Sequence, residues 1–451
     1  MMRTTSHRRP TGGDTDNHRL LTMQSVPDFA RSMELDKADA EYARSLKNDP
    51  SLVDAWRMRA RIAMERQRNT DAAKLLMQGI EYNPEDLVLV GDLANLHLLN
   101  RDATAARPLV ERLLRSDGEK PENLYSQARL LWIDGDYEGA LEFFRRAATK
   151  RPTERRFAMS LIQSLTALED WPGALIELER WRGPEATGEM GALLALYRYD
   201  SAGPEAALAA VTEAVGFMPE HPFLNYLYAA LLTLGGFTAK AVLPISMIEN
   251  DERMGPRWRG FQFARKQGGG APFCGSETTL LDRALAAAPA AGEVLEFGVY
   301  YGLSLRKIAK RVSTPIHGFD SFEGLPEDWK PGEPKGCYST GGRMPAVPAH
   351  VQLHRGWFED TLPAFAAKAG KLRFVHVDCD LYSSTRTVLE GLRPLLQPGT
   401  VFMFDEFMGF EGYEQHEFRA WHEFVERHRI KYRYTGFSLM AKQVALQVTA
   451  L

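Results

Sequence analysis

The sequence predicts an α + α/β protein: an N-terminal α-solenoid of helical repeats, followed by a doubly wound sheet of seven strands ending in an antiparallel hairpin. Three observations support this prediction. The chain has 451 residues, more than one ordinary domain needs. Alanines recur at a fixed interval through its first half, and after Ser276 short apolar segments alternate with helical ones.

The repeat period is visible in seven alanines, whose successive spacings are 34, 34, 34, 34, 33 and 34 residues: Ala38, Ala72, Ala106, Ala140, Ala174, Ala207 and Ala241. Prolines follow four of them by twelve residues, where a proline can end a helix: Pro50, Pro84, Pro152 and Pro219. A small residue fits where the second helix of a unit presses against the first. The pattern resembles the tetratricopeptide repeat family, which implies a groove for a peptide, a protein partner or a second copy of the chain.

Composition limits the remaining possibilities. A net charge of -4 gives no basic excess for binding nucleic acid, and three cysteines without paired spacing favour an intracellular, cytoplasmic protein. No apolar run is long enough to span a membrane, and the N-terminus lacks a secretory pattern. We expect a disordered tail over 1–27, the repeat array over 28–250, a linker over 251–275 and an α/β domain over 276–451. The basic linker is either a solvated connector or a clamp over the site.

The α/β domain contains seven candidate strands: Val294–Phe297, Ile316–Asp320, Val351–Arg355, Phe374–Asp378, Val401–Asp405, Tyr432–Thr435 and Val444–Val448. Five parallel strands and a terminal pair are typical of the Rossmann-like sheet of class I methyltransferases.

A cofactor site is predicted where the first strand ends. Gly298 and Gly302 allow a close backbone approach, and Glu296 can meet the positive charge of S-adenosylmethionine, although a plain tight turn also accounts for the glycines. The next strand ends in Asp320 and Ser321, where a carboxylate can accept both ribose hydroxyls. A third glycine, which a dinucleotide turn requires, is missing, so the pattern favours a methyltransferase over a dehydrogenase.

An aromatic pair follows the third strand. Trp357 and Phe358 either pack on the adenine ring or belong to the core.

Four carboxylates are expected at the ends of the fourth and fifth strands: Asp378, Asp380, Asp405 and Glu406. Crowded carboxylates raise one another's pKa unless a cation sits among them, and oxygen ligands suit Mg²⁺. We therefore predict a magnesium ion that orients an alcohol for methylation. Asp378 is the first candidate for the base, with His376 and His416 as alternatives. Asp380 could instead cap a helix, and Asp378 could instead bind the amine of the cofactor.

These motifs together resemble the macrocin O-methyltransferase family, whose members methylate sugar hydroxyls of natural products. The resemblance covers most of 290–450 and rests on Glu296–Gly302, GFDSFEGLPEDW, GWFEDTLP, VDCDLYSST and FDEF. It implies a magnesium-dependent O-methyltransferase with Asp380, Asp405 and Glu406 as ligands and Asp378 as base. The family usually has two adjacent aspartates where this chain has Asp405 and Glu406, so the substrate can differ.

Two further segments are candidates for substrate contact. The glycine- and proline-rich stretch 322–350 is either a lid or a static surface loop. Residues 410–421, with Tyr413, His416 and Trp421, form either an acceptor wall or a helix covering the sheet. The sequence thus predicts methyl transfer to a small-molecule or glycan hydroxyl. Two alternatives remain: a protein methyltransferase whose repeats hold a polypeptide, and a repeat scaffold whose second domain only senses the cofactor.

Overall fold

The structure is a computed structural model that describes residues 28–451. The tail predicted over 1–27 lies outside the described residues. The chain divides into two compact units, one ending at Ile133 and the other running from Asp134 to Leu451.

Helices occupy the first part of the described chain. Their bounds are α1 (Asp28–Asn48), α2 (Val53–Glu65), α3 (Asn69–Tyr82), α4 (Leu87–Leu99), α5 (Ala103–Ser116), α6 (Pro121–Ile133), α7 (Tyr137–Lys150), α8 (Arg155–Ala167), α9 (Trp171–Arg180), α10 (Gly188–Ala202), α11 (Pro204–Phe217), α12 (Pro222–Leu234), α13 (Thr238–Ile248) and α14 (Met254–Gln267). The alternation of short helices and short turns confirms the predicted α-solenoid.

The alanine period has the predicted cause. Six of the seven alanines are fully buried, each on the second helix of a repeat: Ala72, Ala106, Ala140, Ala174, Ala207 and Ala241. Ala38, on α1, is only partly buried. Three aspartates follow the same period: Asp102, Asp136 and Asp170. Each accepts a hydrogen bond from a backbone N–H in the first turn of the helix that follows, and so caps that helix.

The segment 251–275, expected as a linker, contains the 14-residue helix α14 and a short strand. Phe261 and Ala264 on α14 are buried, and Ala264 belongs to the hydrophobic core below the sheet. The basic residues of this segment therefore lie on a helix that is part of the α/β fold.

The α/β domain contains eight strands among the described residues. The elements are β1 (Phe273–Cys274), α15 (Glu277–Ala287), β2 (Glu293–Phe297), α16 (Leu303–Arg311), β3 (Ile316–Asp320), β4 (Val351–Arg355), α17 (Phe358–Ala366), β5 (Leu372–Val377), α18 (Tyr382–Leu392), a 3₁₀ turn (Arg393–Leu395), β6 (Val401–Phe404), a second 3₁₀ turn (Tyr413–Gln415), α19 (Glu417–His428), β7 (Lys431–Ser438) and β8 (Val444–Ala450).

The strand order is β1-β7-β8-β6-β5-β2-β3-β4. Strands β2 to β6 are parallel to one another, and β8 runs antiparallel between β6 and β7. This confirms the doubly wound sheet with a terminal hairpin, to which β1 adds a short edge strand that was not predicted. The carboxyl ends of β2, β3, β5 and β6 therefore meet at one edge of the sheet.

Inside the second unit, the later repeats pack against the α/β domain through polar anchors. The carboxylate of Asp200 on α10 accepts hydrogen bonds from the backbone N–H groups of Gly275 and Ser276, at 2.6 and 2.8 Å, and from both nearby hydroxyls of Ser276 and Thr279. The buried hydroxyl of Tyr226 donates to the carbonyl of Leu439 at 2.9 Å. Repeats and sheet in this unit therefore share one folded body.

No helix among residues 28–451 combines the length and apolar character that crossing a bilayer requires.

Candidate active site

The turn after β2 needs glycine at its first position. Gly298 has a φ of +88°, and a Cβ built there would lie 1.8 Å from the carbonyl oxygen of Asp378. The backbone N–H of Asp378 also donates to the carbonyl of Phe297 at 2.9 Å. Gly302 caps α16 with a φ of +76°. Gly298 thus lets the β2 turn lie against the end of β5, where no space remains for a side chain.

Asp320 holds this turn in place. Its Oδ2 accepts the backbone N–H groups of Val299 and Tyr300 at 2.8 and 2.7 Å, and its Oδ1 accepts that of Phe322 at 2.6 Å. A carboxylate offers about four lone-pair positions, so about one remains for a ligand. The prediction that Asp320 accepts both ribose hydroxyls therefore needs at least one of these backbone bonds to open.

Ser321, predicted beside Asp320, is buried, and its Oγ accepts the backbone N–H of Glu323 at 3.1 Å. It stabilises the start of the segment that leads away from β3.

Glu296 is fully buried and pairs with His376 on the neighbouring strand. Nδ1 of His376 lies 2.9 Å from Oε1 of Glu296, and the two residues are aligned in the parallel register of β2 and β5. Burial raises the pKa of the Glu296 carboxyl, and the hydrogen bond to His376 opposes that rise. The pair joins β2 and β5 next to the β2 turn, which makes His376 a support for Glu296.

The two aromatic residues after β4 have different surroundings. Phe358 packs edge to face on Phe297, with ring centroids 5.3 Å apart, and lies against the core. Trp357 is partly exposed at the residue before α17. Phe358 thus takes the core position, one of the two predicted for it, and Trp357 stays the candidate for adenine.

The predicted carboxylates do come together at the ends of β5 and β6. Burial raises the pKa of Asp378 well above its ordinary range, and the charges of Asp405 and Asp380 add to that rise. Burial, Glu406 and Asp405 raise the pKa of Asp380 to about 7. Asp380 also has a φ of +61°, a strained conformation for a residue other than glycine. Mutual repulsion on this scale requires the groups to be close neighbours.

A fifth carboxylate, missed in the sequence, completes the cluster. Glu417 at the start of α19 is fully buried, and its Oε2 accepts the backbone N–H of Glu406 at 3.2 Å. Burial raises its pKa well above the ordinary range, and Asp380 and Asp405 add to the rise.

A lysine supplies positive charge inside this cluster. Lys442 forms an ion pair with Oε1 of Glu406. Burial disfavours its charge, but Asp405 and Glu406 together raise its pKa. Next to it, Nε2 of Gln443 donates to Oδ1 of Asp405 at 3.0 Å. The sequence predicted a metal ion as the compensating cation, whereas the structure provides positive charge from the chain itself.

The fit of a divalent cation is therefore mixed. The donors are all carboxylate oxygens, and Oε2 of Glu406 and Oε1 of Glu417 are buried without hydrogen-bond partners, which suits a hard cation. Within residues 28–451, however, no group of three or more His, Cys, Asp or Glu side chains is arranged to hold a metal. The donor chemistry fits Mg²⁺, but Oε1 of Glu406 is already paired with Lys442, which leaves Oε2 of this carboxylate to meet a cation.

The sequence positions of Lys442 and Gln443 could have predicted that these residues lie beside the carboxylates. Strand β8 pairs antiparallel with β6, and Val444 lies opposite Phe404. Residues just before β8 must then lie beside those just after β6, where Asp405 and Glu406 stand. Glu417 carried no comparable signal, because its approach depends on the path of the irregular segment 405–416.

His416 lies among aromatic rings. Its ring centroid is 6.2 Å from that of Trp329 and 5.8 Å from that of Phe410. Burial and the charge of Lys330 lower its pKa, so the neutral imidazole could accept a proton. Trp421 and Tyr413, predicted with it as an acceptor wall, are instead buried in the core, and Trp421 packs on Phe402 and Phe404. Of the two predictions for residues 410–421, Tyr413 and Trp421 therefore fit the second, a segment that covers the sheet.

The segment 322–350 is anchored over the same edge of the sheet. Its Leu325 and Trp329 form a small core with Leu381, directly after Asp380. Further along, the Arg343 guanidinium reaches Asp134, before α7, at 3.2 Å and the Tyr301 hydroxyl at 3.4 Å. The segment thus touches the β5 loop, the β2 turn and the repeats of the second unit.

Comparisons with known proteins agree with this architecture. Residues 295–407 match the model of a methyltransferase domain, and residues 26–84 and 92–155 match that of a tetratricopeptide repeat. A curated relative from Streptomyces olivaceus, 8-demethyl-8-(2,3-dimethoxy-alpha-L-rhamnosyl)-tetracenomycin-C 4'-O-methyltransferase, is 32% identical over 142 residues, which cover 26% of this chain and 53% of the relative. This chain therefore spans about half the length of that enzyme.

Two solved structures are among those to which this chain is similar. The O-methyltransferase NovP is 21% identical, with 38% of this chain and 80% of that chain covered and a TM-score of 0.30. The type IV pilus biogenesis factor PilW is 16% identical, with 47% and 98% covered and a TM-score of 0.37. From the family matches and the sheet topology, the chain carries a tetratricopeptide array followed by a methyltransferase domain.

Proposed function

We propose that this protein is an S-adenosylmethionine-dependent O-methyltransferase that methylates a hydroxyl of a sugar, a glycoconjugate or another natural product. One observation carries the proposal: the carboxylates that end β5 and β6 converge beside the tight glycine turn of β2. An electrophilic methyl group held at that turn would face a group of bases. The acceptor class is supported by the name of the Streptomyces olivaceus relative, which acts on a rhamnosyl sugar.

The cofactor-binding residues of the proposal are those that shape the β2 turn. S-adenosylmethionine, when bound, supplies a methyl group on a positively charged sulfur. Gly298 and Gly302 supply the positive φ angles that shape the turn, and Asp320 and Ser321 fix the neighbouring loop that would meet the ribose. Glu296 sets the negative potential beneath the turn through its pairing with His376, and Trp357 offers a ring for the adenine.

Two carboxylates compete for the role of base. Asp378 is the residue predicted from the sequence, and its raised pKa makes it a proton acceptor with a strong hold on the proton. Asp380, with a pKa of about 7, can take up and release a proton near neutral pH. We assign proton removal from the acceptor hydroxyl to this pair, with His416 as the further candidate at the site's aromatic side.

The proposal includes a magnesium ion, with Asp380, Asp405 and Glu406 as its ligands. When bound, a divalent cation makes an alcohol a better nucleophile by stabilising its deprotonated form. The chain's part is to present the three carboxylates, with Oε2 of Glu406 as the oxygen that Lys442 leaves unpaired. If no metal binds, Lys442 remains the positive charge that keeps the cluster folded.

The repeat array adds a recruiting function to the enzyme. Tetratricopeptide grooves bind extended polypeptides, so we propose that the array selects a protein partner or a carrier of the acceptor in the cytoplasm. The domain limits of the proposal are 28–250 for the array and, since α14 packs into the sheet core, about 254–451 for the catalytic fold.

Calorimetric titration with S-adenosylhomocysteine tests the cofactor claim. We expect binding in the micromolar range, on the order of −8 kcal/mol, and its loss in Asp320→Ala, since three backbone hydrogen bonds of the turn disappear. Asp328→Ala, on the exposed outer part of segment 322–350, is the matched control. Absence of heat with the intact protein would refute the cofactor assignment.

A chelator separates the metal claim from the cofactor claim. Methyl transfer to a hydroxylated acceptor should fall in EDTA and return with MgCl₂. Activity that is indifferent to the chelator would leave Lys442 as the cation of the cluster and remove magnesium from the mechanism.

A further inference from the structure

The methyltransferase sheet has an open edge at β7. Strand β7 runs from Lys431 to Ser438, but β1 pairs only with its last two residues, Phe437 and Ser438. Along Lys431–Thr435, no strand in the described part of the chain pairs with the outer edge. Alternate backbone N–H and C=O groups of five residues therefore face outward from the sheet.

A groove of about 990 Å³ follows this edge. Because side chains alternate along a strand, the groove has two different walls. One wall carries Tyr432 and Tyr434 with Phe263 and His422, and the other carries Arg433 with Arg283 of α15. The glycine-rich segment 268–270 also lines the groove. The volume lies beyond the sheet edge and between the helix layers, which is the place of an additional strand.

The groove is positively charged. Arg283 and Arg433 line it, and none of its lining residues is an aspartate or glutamate. The Arg433 guanidinium donates to the neutral amide oxygen of Gln447, at 3.0 and 2.8 Å, so that bond leaves its charge uncompensated. Lys431 adds a further positive charge at the first residue of the strand.

Charge also decides between occupants. A second copy pairing edge to edge would bring Lys431 and Arg433 of both chains together, and like charges on facing strands are destabilising. The segment 1–27 contains four arginines and two aspartates, a balance of +2, so it has the same sign as the groove. An acidic strand from another protein has the opposite charge to the groove, so neither argument applies to it.

We propose that the β7 edge groove binds an extended acidic segment of a partner protein, which adds to the methyltransferase sheet as an edge strand. Main-chain hydrogen bonds to Lys431–Thr435 would provide affinity, and alternate carboxylates on the segment would face Arg433 and Arg283. Because β7 is parallel to β6, Lys431–Thr435 lies toward the amino ends of the parallel strands, away from the carboxylate cluster. The partner can therefore occupy the groove while the catalytic edge stays open.

The experiment uses the full chain and a labelled eight-residue peptide of alternating valine and glutamate, followed by fluorescence anisotropy at low salt. The valine–lysine peptide controls for charge, and the valine–glutamate peptide with N-methylated valines controls for main-chain hydrogen bonding. Arg433→Glu and Arg283→Glu should each weaken binding about fivefold or more. Arg115→Glu, an exposed arginine on α5, is the matched surface control and should change nothing.

Hydrogen–deuterium exchange locates the bound peptide. We expect slower exchange in Lys431–Thr435 on addition of the valine–glutamate peptide. The proposal is overturned if the two charge patterns bind equally, if the reversal variants bind as the intact protein does, or if protection appears elsewhere. If light scattering gives the mass of a dimer and exchange is slow at the same residues in that dimer, the groove binds a second copy instead. An unchanged melting temperature of Arg433→Glu would show that the fold is intact, and this measurement does not depend on the proposed activity.

Discussion

The ammonium group of Lys442 forms an ion pair with the carboxylate of Glu406, inside a group of buried acids. Lys442 lies two residues before the start of β8, and Glu406 lies two residues after the end of β6. The antiparallel pairing of these strands therefore brings a fixed positive charge to the place where a metal ion was expected. A metal that binds through Glu406 would share this carboxylate with the lysine, because Oε2 of Glu406 has no hydrogen-bond partner.

We predict that Lys442→Met increases the stabilisation of the protein by Mg²⁺. Without the ammonium, the acids repel more strongly, and the metal-free protein should lose about 3 kcal/mol, the scale for breaking a buried ion pair. Added MgCl₂ should then raise the melting temperature more in the variant than in the intact protein. Differential scanning fluorimetry with and without MgCl₂ measures both effects.

Lys442→Arg, which keeps the charge, is the matched control and should respond to MgCl₂ much as the intact protein does. Equal shifts in Lys442→Met and the intact protein would show that lysine and metal do not share Glu406.

Gly298 should tolerate no side chain. Gly298→Ala places a Cβ against the Asp378 carbonyl and also forces a left-handed φ on alanine. We expect a loss of about 3 kcal/mol or more in the free energy of unfolding, together with loss of S-adenosylhomocysteine binding.

The control is Gly236→Ala, in a turn between α12 and α13. Gly236 has a φ of +77° and no atom within 4 Å of a built Cβ, so only the backbone strain of about 1 kcal/mol applies. Similar losses in both variants would mean that the contact with the end of β5 is not what requires glycine at Gly298.

The acid cluster makes stability depend on pH. The folded pKa of Asp380 is raised from its ordinary 3.8 to about 7, so between these values the folded chain keeps a proton that the unfolded chain releases. The stability of the metal-free protein should therefore fall as pH rises through this window, by on the order of 2 kcal/mol after allowance for solvent screening.

Asp380→Asn, which keeps a side chain that accepts the left-handed conformation, should flatten this dependence. Thermal unfolding in EDTA across the window measures it. A stability that rises with pH in the intact protein would contradict the raised pKa.

Asp200 should be a strong anchor between the later repeats and the sheet. Asp200→Ala removes the acceptor of two backbone N–H groups and two hydroxyls. We expect the second unit to lose about 2–4 kcal/mol. Asp86→Ala, which removes only the cap of α4, should cost about 1 kcal/mol. Urea unfolding, monitored by tryptophan fluorescence, compares the free energies of unfolding of the two variants. Equal losses would show that Asp200 contributes no more than an ordinary helix cap.

The sequence contains enough information for the repeats and the parallel sheet. Fixed spacing identifies Ala72 and its equivalents, and continuous apolar segments identify strands such as Val401–Phe404. Helix α14 resembles a linker in the sequence because its arginines and nearby glycines hide the few buried residues, among them Phe261, that attach it to the sheet.

Acidic site residues on strand ends were predictable because parallel strands end at a common edge. The roles of their neighbours were not. Glu417 reaches the cluster through an irregular segment, Asp320 uses its lone pairs on backbone groups, and Trp421 faces the core although its sequence context suggests a sugar site. These outcomes depend on loop paths and side-chain packing that no spacing in the sequence records.

The most direct test of the central claim is transfer of a labelled methyl group from S-adenosylmethionine to hydroxyl acceptors, including rhamnosylated natural products, followed by mass spectrometry of the labelled molecule. We predict an O-methyl ether as the product, and a loss of at least about 100-fold in rate for Asp378→Asn or Asp380→Asn. Label found on nitrogen, or full activity in both variants, would contradict an O-methyltransferase that depends on the carboxylates at the ends of β5 and β6.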